Sequence, residues 1–146
     1  MPLADSNIWL ALALSKHAFH SAARTWLAER GPQEALFCRS TQQSFLRLLT
    51  TRAVLAPYRI PPLSNTAAWS VYDGLRGDER ISWVEEPSGL EAIWKKFAEG
   101  PKASPKLWID AYLAAFALAG GYQLVTTDKG FKQFKGLDLV VLSSKG

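Results

Sequence analysis

The stretch "KLWIDAYLAAFALAGGYQLVTTDKGF", residues 106–131, carries the fold in miniature. From Leu107 to Leu118 it is almost unbroken apolar sequence, which reads as a buried helix. Gly120-Gly121 is a C-terminal stop. "YQLVTT" then reads as a strand that ends at Asp128. One carboxylate, Asp110, interrupts the apolar helix, and a charge there is costly unless something compensates it. Upstream, Ser104-Pro105 reads as an N-cap followed by proline at the first helical position. That start puts Asp110 about two turns inside the helix, on one face with Leu113, Ala114, Ala117 and Leu118. An N-cap role for Asp110 remains open, because helix boundaries shift by a residue or two.

The same alternation extends in both directions. "PLAD" reads as a strand ending at Asp5, feeding a helix at "NIWLALALS". "AFHSAARTWLAER" is an amphipathic helix stopped by Gly31-Pro32, and "ALFC" a short strand. Ser40 or Thr41 then caps a helix over "QQSFLRLLTT". "APYRIPPLS" reads as a loop, "SNTAAWSVYDGLRG" as a helix, "ISWV" as a strand, and "SGLEAIWKKFAEG" as a helix. "GFKQF" is a turn or short helix, and "LDLVVLS" a last strand. Strands alternating with helices predict an α/β fold with a mostly parallel central sheet flanked by helices. With 146 residues and no internal repeat, a single domain over 1–146 is expected.

Composition narrows the class. Apolar residues make up 48% and charged residues 21%, which suits a globular chain. Cys38 is the one cysteine, a pattern that suits a reducing compartment, so cytosol is the expected location. The apolar run from Ile8 to Leu14 is short and lacks a preceding basic region, so neither a signal peptide nor a membrane span is expected. The net charge of +4 favours an anionic partner. Acids cluster at Asp78, Glu79, Glu85, Glu86 and Glu91, whereas six lysines follow Gly100 around Asp110, Asp128 and Asp138.

In parallel α/β sheets ligands bind beyond the carboxyl ends of the strands. Asp5 and Asp128 stand at two such ends, and the helix face of Asp110 aims at the same rim. Three converging carboxylates stay ionised together only around a cation. Oxygen ligands without His or Cys suit Mg²⁺ or Mn²⁺, ions that activate water and neutralise a phosphodiester. The residues therefore point to a metal-dependent phosphodiesterase. Taken singly, each acid could equally be a cap or a surface ion pair.

"LADSNIWLAL", "CRSTQQSFLRLLT" and the long C-terminal stretch resemble a PIN-domain ribonuclease of the VapC toxin type, over nearly the whole chain. The resemblance implies a three-layer sheet fold, an acidic site for Mg²⁺ or Mn²⁺, and cleavage of RNA by a metal-activated water. It also implies a cognate antitoxin and a homodimer. Asp5, Asp110 and Asp128 match the family's acids as metal ligands. Thr126 matches the threonine of T-x-D, and Asn7 the asparagine of D-x-N that braces the loop. Where the family carries a further Glu, "STQQSFLRLL" has no acid. Gln42 aligns there, with Gln43 as the alternative, and an amide oxygen could hold a water without supplying charge.

Other features have plainer readings. His17 and His20 lack further zinc ligands and read as exposed helix residues. Trp26, Trp94 and Trp108 read as core or interface, while Trp9 could line an interface. Lys102, Lys106, Lys129, Lys132 and Arg39 are the basic residues near the expected rim. Two other functions fit the same residues. One is an RNA- or antitoxin-binding module with weak or lost nuclease activity, and the other is a Mg²⁺ phosphohydrolase of small phosphate esters.

Overall fold

The computed structural model describes residues 1–144. The elements run β1 (Pro2–Ala4), α1 (Ser6–Ala13), α2 (His20–Ala28), β2 (Ala35–Phe37), α3 (Arg39–Leu49), α4 (Arg52–Leu55) and α5 (Asn65–Arg76). They continue with β3 (Ile81–Trp83), α6 (Leu90–Ala98), α7 (Leu107–Gly120), β4 (Gln123–Thr126) and β5 (Leu139–Val141). The strands form one sheet in the order β3-β2-β1-β4-β5. Every pairing is parallel. The fold is the expected α/β architecture, with a sheet flanked on both faces.

Strand periodicity builds the two cores. Successive side chains leave a strand on opposite faces. Ala4, Ala35, Phe37 and Val125 enter the core shared with α1, α2, α3 and α5. Leu3, Leu36 and Leu124 enter the opposite core under α6 and α7. Leu3 is in register with Leu36 on one side and Leu124 on the other, so the three form one row. On the first face Trp9 is fully buried and stacks on Phe37 at 3.9 Å between ring centroids. Its indole N–H donates to the Ala4 carbonyl at 3.1 Å, which locks α1 against β1. Trp9 is thus a core residue, not an interface one.

The Gly120-Gly121 stop works through two different constraints. Gly121 adopts a left-handed φ of 69°, which a side chain disfavours. Gly120 lies against the Tyr122 ring, where a Cβ would collide. The chain can then turn at once from α7 into β4.

Several expectations are corrected. α7 starts at Leu107 with Lys106 as its cap, not at Pro105 with Ser104 as its cap. The Leu107 amide donates to the Ser104 carbonyl at 3.1 Å, closing a turn with Pro105 in its second position. Proline's fixed φ serves that turn as well as it would a helix start. Asp110 consequently lies in the first turn of α7, not deep within it. α3 is capped by Cys38, with the Thr41 hydroxyl accepting from the Cys38 amide at 3.0 Å. The segment expected as a loop, 56–64, opens with a 3-10 turn over Ala56–Tyr58, and α4 precedes it. His17 precedes α2 and stacks on Tyr58 at 5.3 Å, and His20 opens α2 with a ring nitrogen 2.7 Å from the Ala11 carbonyl. Trp26 is buried, whereas Trp108 is 57% exposed and belongs to no core.

Because Trp9 joins stacking, a buried hydrogen bond and helix-to-sheet packing, Trp9→Ala should cost about 3–5 kcal/mol. Urea denaturation with a matched Trp108→Ala control, expected within about 1 kcal/mol of the unsubstituted chain, checks it.

Candidate active site

The sheet reverses its direction of growth between β1 and β4, and a crevice opens there at the carboxyl ends. Asp5 follows β1 directly. Its amide donates to the Val125 carbonyl at 2.9 Å, so the ladder itself fixes the residue. One carboxylate oxygen accepts from the Ser6 amide at 2.7 Å, as the N-cap of α1. The other accepts from the Thr126 hydroxyl at 2.8 Å.

Thr126 ends β4 and is fully buried. A hydroxyl has one proton to give and two lone pairs. Here the proton goes to Asp5, while the oxygen accepts from the Asp128 amide at 3.0 Å and from the Asn7 side-chain amide at 3.3 Å. Asn7 also accepts from the Thr127 amide at 3.3 Å, so it braces the loop that leaves β4. Asp128 caps the following 3-10 turn, accepting from the Gly130 amide at 2.8 Å.

Asp110 arrives from the opposite wall. Its place in the first turn of α7 favours negative charge, because the helix amides there point outward. Two bonds fix that end of α7. The Trp94 indole donates to the Trp108 carbonyl at 2.9 Å, and the Tyr112 hydroxyl donates to Glu86 at 2.7 Å. Burial is also why the Tyr112 proton is held well above its ordinary pKa, with the Glu86 bond adding to it. The Asp110 carboxylate has no hydrogen-bond partner among the described residues.

Asp5 and Asp110 line one cleft of about 330 Å³. Ser6, Ser40, Thr41, Ser44, Arg47 and Lys106 also line it. Burial pushes the Asp5 carboxyl up to about 6; the bonds from Thr126 and Ser6 oppose the rise, and the charges of Asp110 and Asp128 add to it. Burial raises Asp110 as well, against the pull of Lys106 and with a push from Asp128. The three acids are therefore close enough to feel one another. Asp128 is not among the residues lining the cleft, and its carboxylate is engaged with Gly130.

Gln42 stands apart. It is buried, and its amide oxygen accepts from Arg39 at 2.7 Å, away from the cleft lining. Arg39 in turn lies 4.7 Å over the Trp83 ring. What α3 presents to the acids is Ser40, Thr41, Ser44 and Arg47. Arg47 was not singled out in the sequence, although Ser40, Ser44 and Arg47 follow the i, i+4, i+7 spacing of one helix face. Of the basic residues expected near the rim, Lys106 lines the cleft. Lys102, Lys129 and Lys132 are exposed.

The donor set suits a hard divalent cation. Among the described residues no three His, Cys, Asp or Glu side chains form a ready metal cage. Mg²⁺ does not require one, since it keeps several waters and takes one or two carboxylates. Asp5 and Asp110, which line one cleft, are the two that could serve.

The PIN domain family profile matches residues 3–137. The chain belongs to the PIN domain family. Among PIN-domain relatives, Ribonuclease VapC41 of Mycobacterium tuberculosis is 54% identical over 145 residues, covering 98% of this chain and 99% of that protein. The PIN fold recurs in the structure of VapBC2 from Rickettsia felis bound to a promoter DNA fragment. That match has a TM-score of 0.66 at 11% identity and covers 97% of this chain and 98% of that one. It also recurs in Mycobacterium tuberculosis VapC20, described as a sarcin-ricin loop cleaving toxin. Here the TM-score is 0.64 at 18% identity, covering 98% and 100% of the two chains.

A raised carboxyl pKa has a defined consequence for the metal-free protein. The folded state holds the Asp5 proton up to about pH 6, and the unfolded chain releases it near 3.8. The folded state thus binds more protons between those values, and stability falls as pH rises through them. The loss at neutral pH is up to about 3 kcal/mol. Urea denaturation of chelated protein from pH 4 to 7 should show this fall, and Asp5→Asn should flatten it.

Proposed function

We propose that this PIN-domain chain is the ribonuclease toxin of a toxin–antitoxin pair, hydrolysing RNA phosphodiesters with Mg²⁺ or Mn²⁺ held by Asp5 and Asp110. The observation that carries the reading is one cleft that brings carboxylates and cations together. Asp5 and Asp110 line it with Arg47 from α3 and with Lys106, which sits at the start of α7 beside Asp110. The near full-length identity to Ribonuclease VapC41 supports the same reading.

The residues divide the work. Asp5 and Asp110 would hold the cation, with Asp5 kept in place by Ser6 and Thr126. The cation, when bound, supplies a lowered pKa for water and neutralises charge on the phosphate. Arg47, from α3, and Lys106, beside Asp110, bind the anionic backbone. Asp128, outside the lining, strengthens the negative potential that draws a cation in, and Thr126 ties its backbone to Asp5. Hydrolysis then forms one phosphorus–oxygen bond to water and breaks one to ribose.

A cognate antitoxin is the proposed protein partner, covering the cleft and supplying a basic group to the acids. The proposal includes a homodimer and a cytoplasmic setting. Exposed Trp108 and Ile109 beside Asp110 are apolar surface that a protein partner would cover. No described helix is long and apolar enough to cross a membrane.

One observation favours a second reading. α3 contributes hydroxyls and Arg47 to the cleft but no carboxylate, which suits an RNA- or antitoxin-binding module with weak or lost nuclease activity. The two readings part on total cellular RNA. The ribonuclease reading predicts cleavage in Mg²⁺ or Mn²⁺ that chelator stops and that Asp110→Asn lowers by at least about 100-fold. Equal cleavage by both proteins would contradict it, and metal-independent binding without cleavage would support the binding module.

A further inference from the structure

We infer that the hollow on the far side of Arg47 from the acids is a nucleobase subsite. It would take one unpaired base of an RNA chain whose backbone lies in the acidic cleft. The inference rests on the ribonuclease reading and extends it to how the substrate is gripped.

The hollow has a volume of about 330 Å³ and is lined by Leu46, Arg47, Thr50, Asn65, Ala68 and Trp69. That lies at the lower end of small-ligand pockets, roughly 300–1,000 Å³. Arg47 lines both this hollow and the acidic cleft, so the two are neighbours across one guanidinium. The described ion pairs are Arg30–Glu29 and Arg80–Asp78, which leaves Arg47 without a described carboxylate partner. A guanidinium between the two cavities suits the phosphate that joins two nucleotides.

Trp69 is 49% exposed, a large aromatic surface for a residue on α5. It is seated edge-on against buried Tyr72, with centroids 6.0 Å apart and planes at 82°. The ring is thereby supported from one side while about half of it stays open. Ala68 is small and Leu46 apolar, so neither crowds the ring with charge. Asn65 is exposed, and its side-chain amide has no described hydrogen bond, leaving a donor and an acceptor for a base edge. An aromatic face, an amide and an arginine are the groups that proteins use on unpaired bases. Continuity with the acidic cleft through Arg47 favours a nucleotide here over a polypeptide segment.

The test uses the full chain carrying Asp110→Asn, to prevent cleavage, and two fluorescent probes: an oligouridylate of about 12 nucleotides and an abasic oligoribonucleotide of the same length. Trp69→Ala should weaken binding of the oligouridylate about tenfold. Trp69→Phe should retain most of the affinity, and the abasic probe should bind all three proteins equally. Arg47→Gln should weaken both probes and lower the slope of log affinity against log salt by about 0.7. Arg24→Gln, an exposed change on α2, serves as the control.

Unchanged oligouridylate binding by Trp69→Ala overturns the subsite and leaves Trp69 to a protein partner. An equal loss on the abasic probe also overturns it, since a base would not be involved. If the unsubstituted chain cleaves total RNA while Trp69 is silent, the subsite fails alone. If it neither cleaves RNA nor binds either probe, both readings fail.

Discussion

The Thr126 hydroxyl is the point on which the site depends. Its single proton is committed to Asp5, and its two lone pairs are filled by Asp128 and Asn7. A buried hydroxyl with every capacity used has one orientation, and groups bonded to it inherit that orientation. β1 and β4 are already joined in register, with Ala4 opposite Val125. The hydroxyl carries that register from backbone into side chains. It turns the meeting of two strand ends into a fixed position for one carboxylate and for the loop bearing another.

The cost of this arrangement is electrostatic. Asp5 is held in a part-buried setting with two further acids near it, and its carboxyl is pushed up to about 6. Asp110 adds a second raised acid from α7. A site that keeps such groups together gains most from an added cation. The complementary charge comes from Arg47 on α3 and from Lys106 at the start of α7, beside Asp110. Cation, phosphate and guanidinium can thus alternate in sign across the cleft. The fold makes this possible by placing α3 and α7 on either side of the strand ends.

Much of this was legible in the chain. The strand–helix alternation is strong because each strand is a short apolar run between helices with clear apolar faces. The acids at Asp5 and Asp128 could be placed because Asp5 directly follows β1 and Asp128 comes two residues after β4, where the topology leaves one place to go. The start of α7 was misread because Ser-Pro fits a helix cap and a turn equally well at the level of sequence. Gln42 was brought toward the site by its alignment with an acidic position, yet its amide is taken by Arg39. The helical stripe of Ser40, Ser44 and Arg47 was present in the spacing. It is visible as a site feature only once α3 is known to face Asp110. Trp9 and Trp108 show the same limit, since the buried indole and the exposed one both stand in apolar helical sequence.

The central claim is that Thr126 prepares Asp5 to hold a cation with Asp110. Calorimetric titration of Mn²⁺ into Thr126→Val and Thr126→Ser measures it without relying on catalysis. Valine removes the hydroxyl and leaves Asp5, Asn7 and Asp128 without their shared partner, whereas serine keeps it. The account predicts that Thr126→Val weakens Mn²⁺ binding by about 10–100-fold and that Thr126→Ser stays close to the unsubstituted chain. Mn²⁺ binding by Thr126→Val as tight as that of the unsubstituted chain would contradict it.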